Sequence, residues 1–423
     1  MKLQHGEIVF DAGLTRPDRL VLEQLCRDAS SPTAIDTAST KATIDTLKAL
    51  NNPNDAQFDP TIFTTWDLDD VRSSSRVPGF VLRLLEEYIS WARRVVRVET
   101  DVVMVTHLLL YFCTSIPSAI LLFTRFSYLH AVGHLAMQGY YMGPYTLLKH
   151  QHIHMRGVLA KRFSLVDNLF PYAMDLLMGH TWNSYYYHHV KHHHVEGNGP
   201  FDLSSTIRYQ RDSAADFAMY VGRFLAMVWF DLPRYFFQKK QLALGLKTLG
   251  WELSSYVAIY LAFQINARAA TFVFLLPLCC MRVALMVGNW GQHAFVDEDE
   301  PDSDFRSSIT LIDVASNRFC YNDGYHTSHH LNPLRHWRDH PSAFLQAKPE
   351  YARQQALVFH DIDYIFITIY LLKKDYEHLA RCLVPIGEKQ LAMTLEDRVA
   401  MLKRHTRKFT EEEIRKKFKL PSQ

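Results

Sequence analysis

The sequence predicts an all-α fold in which an integral membrane four-helix bundle, made of two transmembrane hairpins, carries a helical cytosolic cap. Two pairs of long apolar runs, near residues 102–148 and 249–288, predict the hairpins. Many of the 22 histidines cluster where these runs end or in the loops between them. The runs therefore predict the architecture, and the histidines predict where its site lies.

The composition of the whole chain hides this organisation. The mean hydropathy of −0.12 resembles that of a soluble protein because it averages apolar runs with a polar remainder. A net charge of +2 argues against a nucleic-acid partner, and 21% charged with 13% aromatic residues excludes a disordered chain. The six cysteines form no CxxC pair, which favours a reducing compartment over a disulfide framework.

Each hairpin is predicted from the length of its uncharged runs. Two runs of 23 residues without Asp, Glu, Lys or Arg are separated only by Arg125, and a bilayer core needs about 20 apolar residues per helix. The second pair is interrupted by Glu252, Arg268 and Arg282. Two buried hairpins of a soluble protein are the alternative, which the length and even apolarity of the first pair disfavour. The predicted spans are residues 102–124, 126–148, 249–267 and 269–288.

The basic residues around the first hairpin predict its orientation. Seven flank it, and the two hairpin turns carry only Arg125 and Arg268. The positive-inside rule then places both termini and the central loop in the cytosol. Residues 1–14 lack the apolar core of a signal peptide, so we expect a multi-pass protein, in the endoplasmic reticulum, whose first span directs insertion. The flanking residues are Arg93, Arg94, Arg97, Lys149, Arg156, Lys161 and Arg162.

The polar segments complete the predicted organisation. A polar N-terminal cytosolic region, with helices near residues 16–27 and 40–50, precedes an amphipathic pre-membrane helix. An aromatic-rich stretch at 214–237 is expected to be interrupted at Asp231–Pro233 and to lie at the membrane interface. The predicted segments are residues 1–78 for the N-terminal region, 79–101 for the pre-membrane helix, 102–345 for the membrane domain and 346–423 for C-terminal cytosolic helices.

Four histidine-containing motifs share the predicted cytosolic side. They are HQHIH at 150–154, HHVKHHH at 188–194, NWGQH at 289–293 and HTSHH at 326–330. On a helix, residues i and i+4 share a face, so His150 and His154 can reach one metal ion. Imidazole suits zinc, copper, iron or nickel, and eight or nine histidines exceed the four ligands of a structural zinc. The pattern predicts two metal ions; a solvated histidine-rich loop would explain only the second motif.

The second motif leaves its register open. His189, His192 and His193 give HxxHH spacing, whereas His189, His193 and His194 give HxxxHH spacing. His189 and His193 serve in both, and His188 could replace His189 in a shifted helix.

His130 and His134 also have HxxxH spacing, but their position is wrong. His130 precedes His150 by 20 residues, about 30 Å along a helix. We therefore predict that both pack near the far membrane surface.

In these motifs and hairpins the chain resembles the membrane fatty acid desaturase and hydroxylase superfamily, the integral-membrane di-iron oxygenases, over about residues 102–337. The resemblance implies a membrane bundle capped by a cytosolic domain that holds two iron ions (Fe²⁺/Fe³⁺), with residues 102–345 as the catalytic domain. Asn289 would match a weaker ligand, direct or through water. His192 or His194 would complete the second motif. The histidine ligands implied are His150, His154, His189, His193, His293, His326, His329 and His330.

The chemistry implied by the resemblance is oxidation of a lipid by molecular oxygen. A desaturase acting on a fatty acyl or similar chain is the first hypothesis, with a hydroxylase or alkane-type monooxygenase as alternative; the HxxxHH register would favour the latter slightly. The chain carries no HPGG haem motif of a fused cytochrome b5 domain, so cytochrome b5 or a ferredoxin is the expected external electron donor. A membrane metal transporter is disfavoured because the first two spans lack mid-span acidic or basic residues.

Several polar residues are candidates for supporting roles. Glu196, Asp202 and Asp323 could each hydrogen-bond a ligand imidazole, as metal-bound histidines usually require, or could cap loops. Arg282 lies inside the fourth span, where it could pair with Glu252, snorkel to the surface or contact the cytosolic domain.

Overall fold

The computed structural model describes residues 14–30, 37–64, 66–74 and 77–420, and this part of the chain is mostly helical. The predicted N-terminal helices are confirmed as α1 (Arg16–Ser30) and α2 (Thr37–Asn51). The first 13 residues of the predicted region 1–78, including most of the segment inspected for a signal peptide, lie outside the described residues. Two small sheets depart from a purely helical chain: β1 (Thr61–Phe63) pairs antiparallel with β2 (Trp66–Asp67), and β3 (Ile309–Ile312) pairs parallel with β4 (Leu357–His360).

The segment before the first hairpin is amphipathic. Helix α3 (Leu68–Ser73) leads to α4 (Gly79–Val95), which begins where the pre-membrane helix is predicted and ends six residues before its predicted end at residue 101. Ile89 and Ala92 are buried on one face of α4, whereas Phe80 and Leu84 are each 62% exposed. The exposed apolar side chains fit a helix that rests on a membrane surface.

The first predicted hairpin is present as two long helices. Helix α5 (Val102–Thr124) has the predicted bounds, and α6 (Tyr128–Met155) begins after Ser127, whose side chain accepts a hydrogen bond from the backbone N–H of His130. The helix α6 continues about two turns beyond the predicted span and ends where Arg156 adopts a left-handed conformation. This extension places the first histidine motif on the last two turns of α6.

Three helices form the second half of the bundle. Helix α9 (Ala214–Gln238) packs on α10 (Leu242–Ile265), and a continuous apolar helix follows at Ala267–Gln292. The predicted interruption of α9 is wrong, because the helix continues through Pro233. Leu232, Pro233 and Phe236 are buried, so packing offsets the backbone hydrogen bond that proline cannot make. The last helix consists of α11 (Ala267–Ala270), a π-helical turn (Thr271–Leu275) and α12 (Leu276–Gln292).

The four-helix membrane bundle is supported only in part. Among the described residues, α5 and the helix Ala267–Gln292 are long and apolar enough to cross a membrane. The other two predicted spans lie within α6 and α10, and these helices are not apolar enough to meet that criterion. Helix α6 carries several histidines and Gln138, and α10 contains Lys247 and Glu252. The helices exist; that all four cross a membrane remains a prediction.

The C-terminal helices join the N-terminal ones in a shared core around the β3–β4 pair. Leu22 and Leu25 of α1 belong to one buried cluster with Val358 of β4, so the two ends of the chain pack together. The predicted boundary at residue 346 falls inside the helix α16 (His340–Arg353). Thr394 and Thr410 form the capping boxes of the helices α20 (Leu395–His405) and α21 (Glu411–Lys417). The helices beyond the bundle are α13 (Asp304–Ser307), α14 (Ala315–Phe319), α15 (His326–Leu331), α16 (His340–Arg353), α17 (Tyr364–Leu372), α18 (Tyr376–Cys382), α19 (Glu388–Leu391), α20 (Leu395–His405) and α21 (Glu411–Lys417).

The loop between the two halves carries the second histidine motif on a π-helix. A 3₁₀ turn (Lys161–Phe163) and α7 (Ser164–Met174) precede it, the π-helix spans Tyr186–His193, and α8 (His194–Glu196) follows. A second 3₁₀ turn (Trp337–Asp339) leads into α16. π-Helical turns are rare and frequently occur at functional sites.

Candidate metal centre

Nine histidine side chains converge in two adjoining groups. Within each group, one ring nitrogen per residue lies within 4.8 Å of the others. The two groups adjoin: the rings of His194 and His330, one from each group, are 5.2 Å apart. The first group is His150, His154, His189, His194 and His329; the second is His193, His293, His326 and His330.

These side chains come from four stretches of the chain: the end of α6, the π-helix with the start of α8, the end of α12, and α15. His150 and His154 lie one turn apart near the end of α6, and their rings are 4.6 Å apart. His293 follows the last turn of α12. The short helix α15 serves both groups, because His329 points to the first group while His326 and His330, which are i and i+4, point to the second.

The π-helix decides the register that the sequence left open. Nε2 of His189 and Nε2 of His194 are 3.1 Å apart, and the backbone N–H of His194 donates to the carbonyl oxygen of His189, the i→i+5 hydrogen bond of a π-helix. His193 lies on the side of the second group. The structure therefore brings His189, His193 and His194 to the site, as in the HxxxHH spacing.

Two other candidate ligands have different surroundings. His192 belongs to neither group: its Nε2 accepts the backbone N–H of Leu203 at 2.8 Å, and its ring lies 4.2 Å from that of Tyr235. The side-chain nitrogen of Asn289 donates to the carbonyl oxygen of Ser204 at 2.8 Å and contacts the Tyr220 hydroxyl at 2.7 Å. Asn289 is one helical turn before His293 and lines the cavity next to the second group.

Outer hydrogen bonds orient the imidazoles of the second group. Nδ1 of His193 lies 2.7 Å from Oδ2 of Asp202, and Nδ1 of His293 lies 2.7 Å from the carbonyl oxygen of Ser307. Each acceptor favours the tautomer that carries hydrogen on Nδ1 and leaves the Nε2 lone pair for a metal. The hydrogen bond predicted for Asp202 is thus confirmed.

The other two candidate carboxylates contact different partners. Glu196 contacts the Tyr235 hydroxyl and the ammonium group of Lys239. Asp323 accepts a hydrogen bond from the side chain of Gln292 at 3.1 Å, and burial raises its pKa to about 7.

The electrostatics of both groups favour neutral imidazoles. Burial lowers the pKa of His189 and His329 well below 6.5, and neighbouring imidazoles lower both further. The pKa of His330 is also lowered, by burial first, although Asp304 opposes the shift. Neutral imidazole is the form that binds metals, so the residues are ready to coordinate at neutral pH.

The arrangement fits metal ions. The Nε2 atoms of His150 and His189 are 2.8 Å apart, and those of His194 and His329 are 2.7 Å apart. When both rings of a pair carry hydrogen on Nδ1, their Nε2 lone pairs face each other at these distances, and a cation bound between them would be coordinated by both. Within the described part of the chain, Nε2 of His154 is buried without a hydrogen-bond partner. Nitrogen donors in this number suit iron, as well as zinc, copper and nickel.

A cavity of about 490 Å³ begins at the histidines and runs between α6, α9, α10 and α12. Its walls include Gly139 and Gly143 of α6, where the lack of side chains leaves room, and Phe224 and Leu232 of α9. The volume falls within the range of small-molecule sites.

One region of this cavity is polar. Glu252 of α10 forms an ion pair with Arg282 of α12, which is one of the three alternatives that the sequence left open for this arginine. The carboxylate of Glu252 also accepts hydrogen bonds from Thr181 at 2.6 Å, from Ser184 and from Tyr256.

Sequence reasoning missed a second buried ion pair next to the first motif. Lys149 and Asp175 form it, with side chains only 3% and 1% exposed, and Tyr145 donates to the same carboxylate at 2.7 Å. His180, which lines the cavity, was also missed; its Nε2 lies 2.8 Å from the Thr146 hydroxyl. Neither Asp175 nor His180 belongs to a motif with recognisable spacing, so the sequence offered no signal for them.

The competing HxxxH motif has the surroundings expected of packing residues. Ring nitrogens of His130 and His134 lie 2.8 and 2.9 Å from the Ser118 hydroxyl. His134 also contacts Gln138 at 3.4 Å. Among the described residues, neither histidine belongs to a group that could hold a metal.

Helical hairpins with two convergent histidine groups define a candidate dimetal protein. The profile of the fatty acid desaturase family matches residues 126–361, more than half of the chain and all four motifs. The chain belongs to the fatty acid desaturase family. It is accordingly an oxidoreductase of lipid metabolism, associated with membranes. Among curated proteins and solved structures, none matches the chain.

Proposed function

We propose that the chain is a membrane-bound, di-iron, O₂-dependent desaturase that introduces a double bond into a fatty acyl or similar lipid chain. The observation that carries this proposal is the convergence of nine buried or half-buried histidines in two adjoining groups, of which His150, His189, His193 and His326 line one cavity. Family membership supplies the reaction class, and the two groups supply a place for each metal ion.

The two groups define the proposed ligand sets. His150, His154, His189, His194 and His329 would hold one iron, and His193, His293, His326 and His330 would hold the other. Asn289 would be a weaker ligand, direct or through water, to the second ion. Two irons bound there would supply activation of dioxygen and removal of hydrogen from an unactivated carbon.

The protein supports this chemistry through position and exclusion of water. The cavity holds the lipid so that one carbon–carbon bond lies beside the histidines, and positioning alone selects the bond that is oxidised. Asp202 and the Ser307 carbonyl keep the second group's imidazoles in one tautomer. Desaturation converts dioxygen, two substrate hydrogens, two electrons and two protons into two waters, so an external donor such as cytochrome b5 or a ferredoxin is required.

Hydroxylation is the second candidate. The presence of His189, His193 and His194 in the two histidine groups corresponds to the HxxxHH spacing, which favours a hydroxylase or alkane-type monooxygenase slightly. The same dioxygen, electrons and protons would then yield one alcohol and one water.

The proposed setting is an integral membrane protein of the endoplasmic reticulum with four spans and both termini in the cytosol. Two helices of sufficient length and apolarity and the exposed apolar face of α4 support membrane association. All four histidine motifs meet at one end of the hairpins, as a cytosolic site requires.

Lipid profiling tests the proposed function. Lipids of cells expressing the wild type are compared with those of cells expressing His326→Ala, with His130→Ala as a matched histidine control outside both groups. A His326-dependent product lighter than its precursor by two hydrogens supports desaturation, and one heavier by an oxygen supports hydroxylation. The absence of any His326-dependent product in every lipid class would refute both.

A further inference from the structure

The buried ion pair Glu252–Arg282 lies in the cavity wall, and a pocket for a plain hydrocarbon does not need such polar groups in its wall. Both side chains line the cavity that reaches the histidines, and they are only 4% and 12% exposed. Charged groups at membrane depth are costly and are retained chiefly where they have a function. An ion pair that merely joined two helices would not need to face the cavity.

The hydrogen bonds show which of the two groups is available to a ligand. Oε1 of Glu252 accepts from Arg282 and Tyr256, and Oε2 accepts from Thr181 and Ser184. The carboxylate is therefore fully engaged and serves to hold the arginine.

Arg282 has N–H donors that form no recorded hydrogen bond with other described residues. A guanidinium has five N–H donors, and the hydrogen bonds that the structure records from Arg282 to other described residues both leave from Nη2, to Glu252 and to Tyr256. The donors on Nε and Nη1 belong to a side chain on the cavity wall, and no hydrogen bond from them to another described residue is recorded, so they are available to a ligand in the cavity.

A series of contacts connects the arginine to the histidines through Glu252 and the segment that begins at Ser184. Ser184, which holds Glu252, immediately precedes Tyr185, whose ring stacks on that of His189 at 5.2 Å. The cavity also opens between helices, because Trp229 and Ile365 on its wall are 41% and 56% exposed. A lipid that enters there can reach the guanidinium and the histidines together.

We propose that Arg282 binds an oxygen acceptor of the substrate, so that the lipid oxidised by this protein carries a hydroxyl or carboxylate group inside the cavity. This inference rests on the proposed function and names its substrate class. Glu252 acts as a positioning residue, which orients Arg282 and does not touch the substrate. An alkane-type chain without oxygen would leave the guanidinium donors unpaired and would bind more weakly.

Binding to the purified full chain tests the inference without turnover. The dependence of Tm on ligand concentration gives the affinity for dodecane, dodecanol and dodecanoate, all delivered in the same detergent. We expect the oxygen-bearing probe that fits to bind about ten-fold or more tightly than dodecane, as a hydrogen bond to a charged group allows. Preference for dodecanoate would indicate an anionic substrate group, and preference for dodecanol a neutral one.

Variants separate recognition from folding. Arg282→Met removes the N–H donors but leaves the Glu252 carboxylate without its cation, so Glu252→Gln/Arg282→Met provides an uncharged pair in case the single variant does not fold. Both variants should lose the preference for the oxygen-bearing probe. Arg268→Met, a matched change at the hairpin turn outside the cavity wall, should keep the preference. Equal binding of the three probes by the wild type, or a preference retained by both Arg282 variants, would overturn the inference. A histidine-dependent lipid product would in that case still support the proposed function.

Discussion

Nδ1 of His193 and Oδ2 of Asp202 lie 2.7 Å apart, and both side chains are almost completely buried. The carboxylate is nine residues beyond the histidine, across the loop that follows the π-helix. It also accepts the backbone N–H groups of Asn198 and Ser204, which hold it in place. A fixed carboxylate behind a ligand imidazole orients the ring and increases its basicity, which strengthens metal binding.

Replacement of this carboxylate should weaken metal binding. Asp202→Asn is expected to lower the affinity of the second group for metal about 10- to 100-fold, because the His193 tautomer is no longer fixed. Metal titration of the metal-free protein measures this. Asp304→Asn is the matched control, since Asp304 lies 3.5 Å from His330 and is 38% exposed, and its effect should be smaller. An affinity unchanged by Asp202→Asn would contradict the assigned role.

A separate prediction follows from the position of His194, and not of His192, within the first histidine group. His194→Ala should remove the metal ion of the first group because His194 lies within that group. His192→Ala should leave both ions bound, although loss of the hydrogen bond to Leu203 lowers the free energy of unfolding by about 1–3 kcal/mol. Metal content per folded chain distinguishes the two variants. Loss of metal in His192→Ala with retention in His194→Ala would favour the HxxHH spacing instead.

The ion pair between Lys149 and Asp175 should matter for stability. Lys149→Met leaves a buried carboxylate without its cation and is expected to cost about 3–5 kcal/mol, whereas Lys149→Met/Asp175→Leu should recover much of the loss. Denaturant unfolding in detergent measures both. Arg381→Met at the exposed pair with Glu377 is the control, with an expected change below about 1 kcal/mol. A similar small change for Lys149→Met would show that the buried pair is not critical.

Buried histidines should make the metal-free protein sensitive to acid. Burial lowers the pKa of His340 to about 3, compared with 6.5 for an ordinary histidine. Between these values the unfolded chain binds a proton that the native chain does not, so stability falls as the pH decreases from 6.5 toward 3. Each such group contributes about 1.4 kcal/mol per pH unit. His340→Gln should reduce the slope of unfolding free energy against pH by this amount; an unchanged slope would contradict the argument.

Much of the fold followed from the sequence because hydropathy is a local property. The bounds of α5 were predicted correctly. The continuation of α9 through Pro233 was not, because burial against neighbouring residues outweighed a local rule. The extension of α6 to Met155 also depends on tertiary contacts rather than on apolar length.

The site was predictable as a set of motifs but not as a geometry. The sequence identified all nine histidines that converge, since their spacing repeats at four places. It could not choose between His192 and His194, because the choice depends on a π-helix that spacing rules for α-helices do not anticipate. Asp175 and His180 reach their positions only through folding, so no local pattern indicated them.

The two histidine groups are proposed to hold two metal ions. The metal content of the purified full chain is the direct test of this proposal. Elemental analysis should count iron and zinc together, since zinc binds nitrogen ligands more strongly than ferrous iron and can replace it during overexpression. We predict two ions per wild-type chain, one in His329→Ala or His293→Ala, each of which removes a ligand of one group, and none when both changes are combined. A wild-type chain that binds at most one ion when metal is supplied in excess, or a double variant that still binds two, would contradict the account.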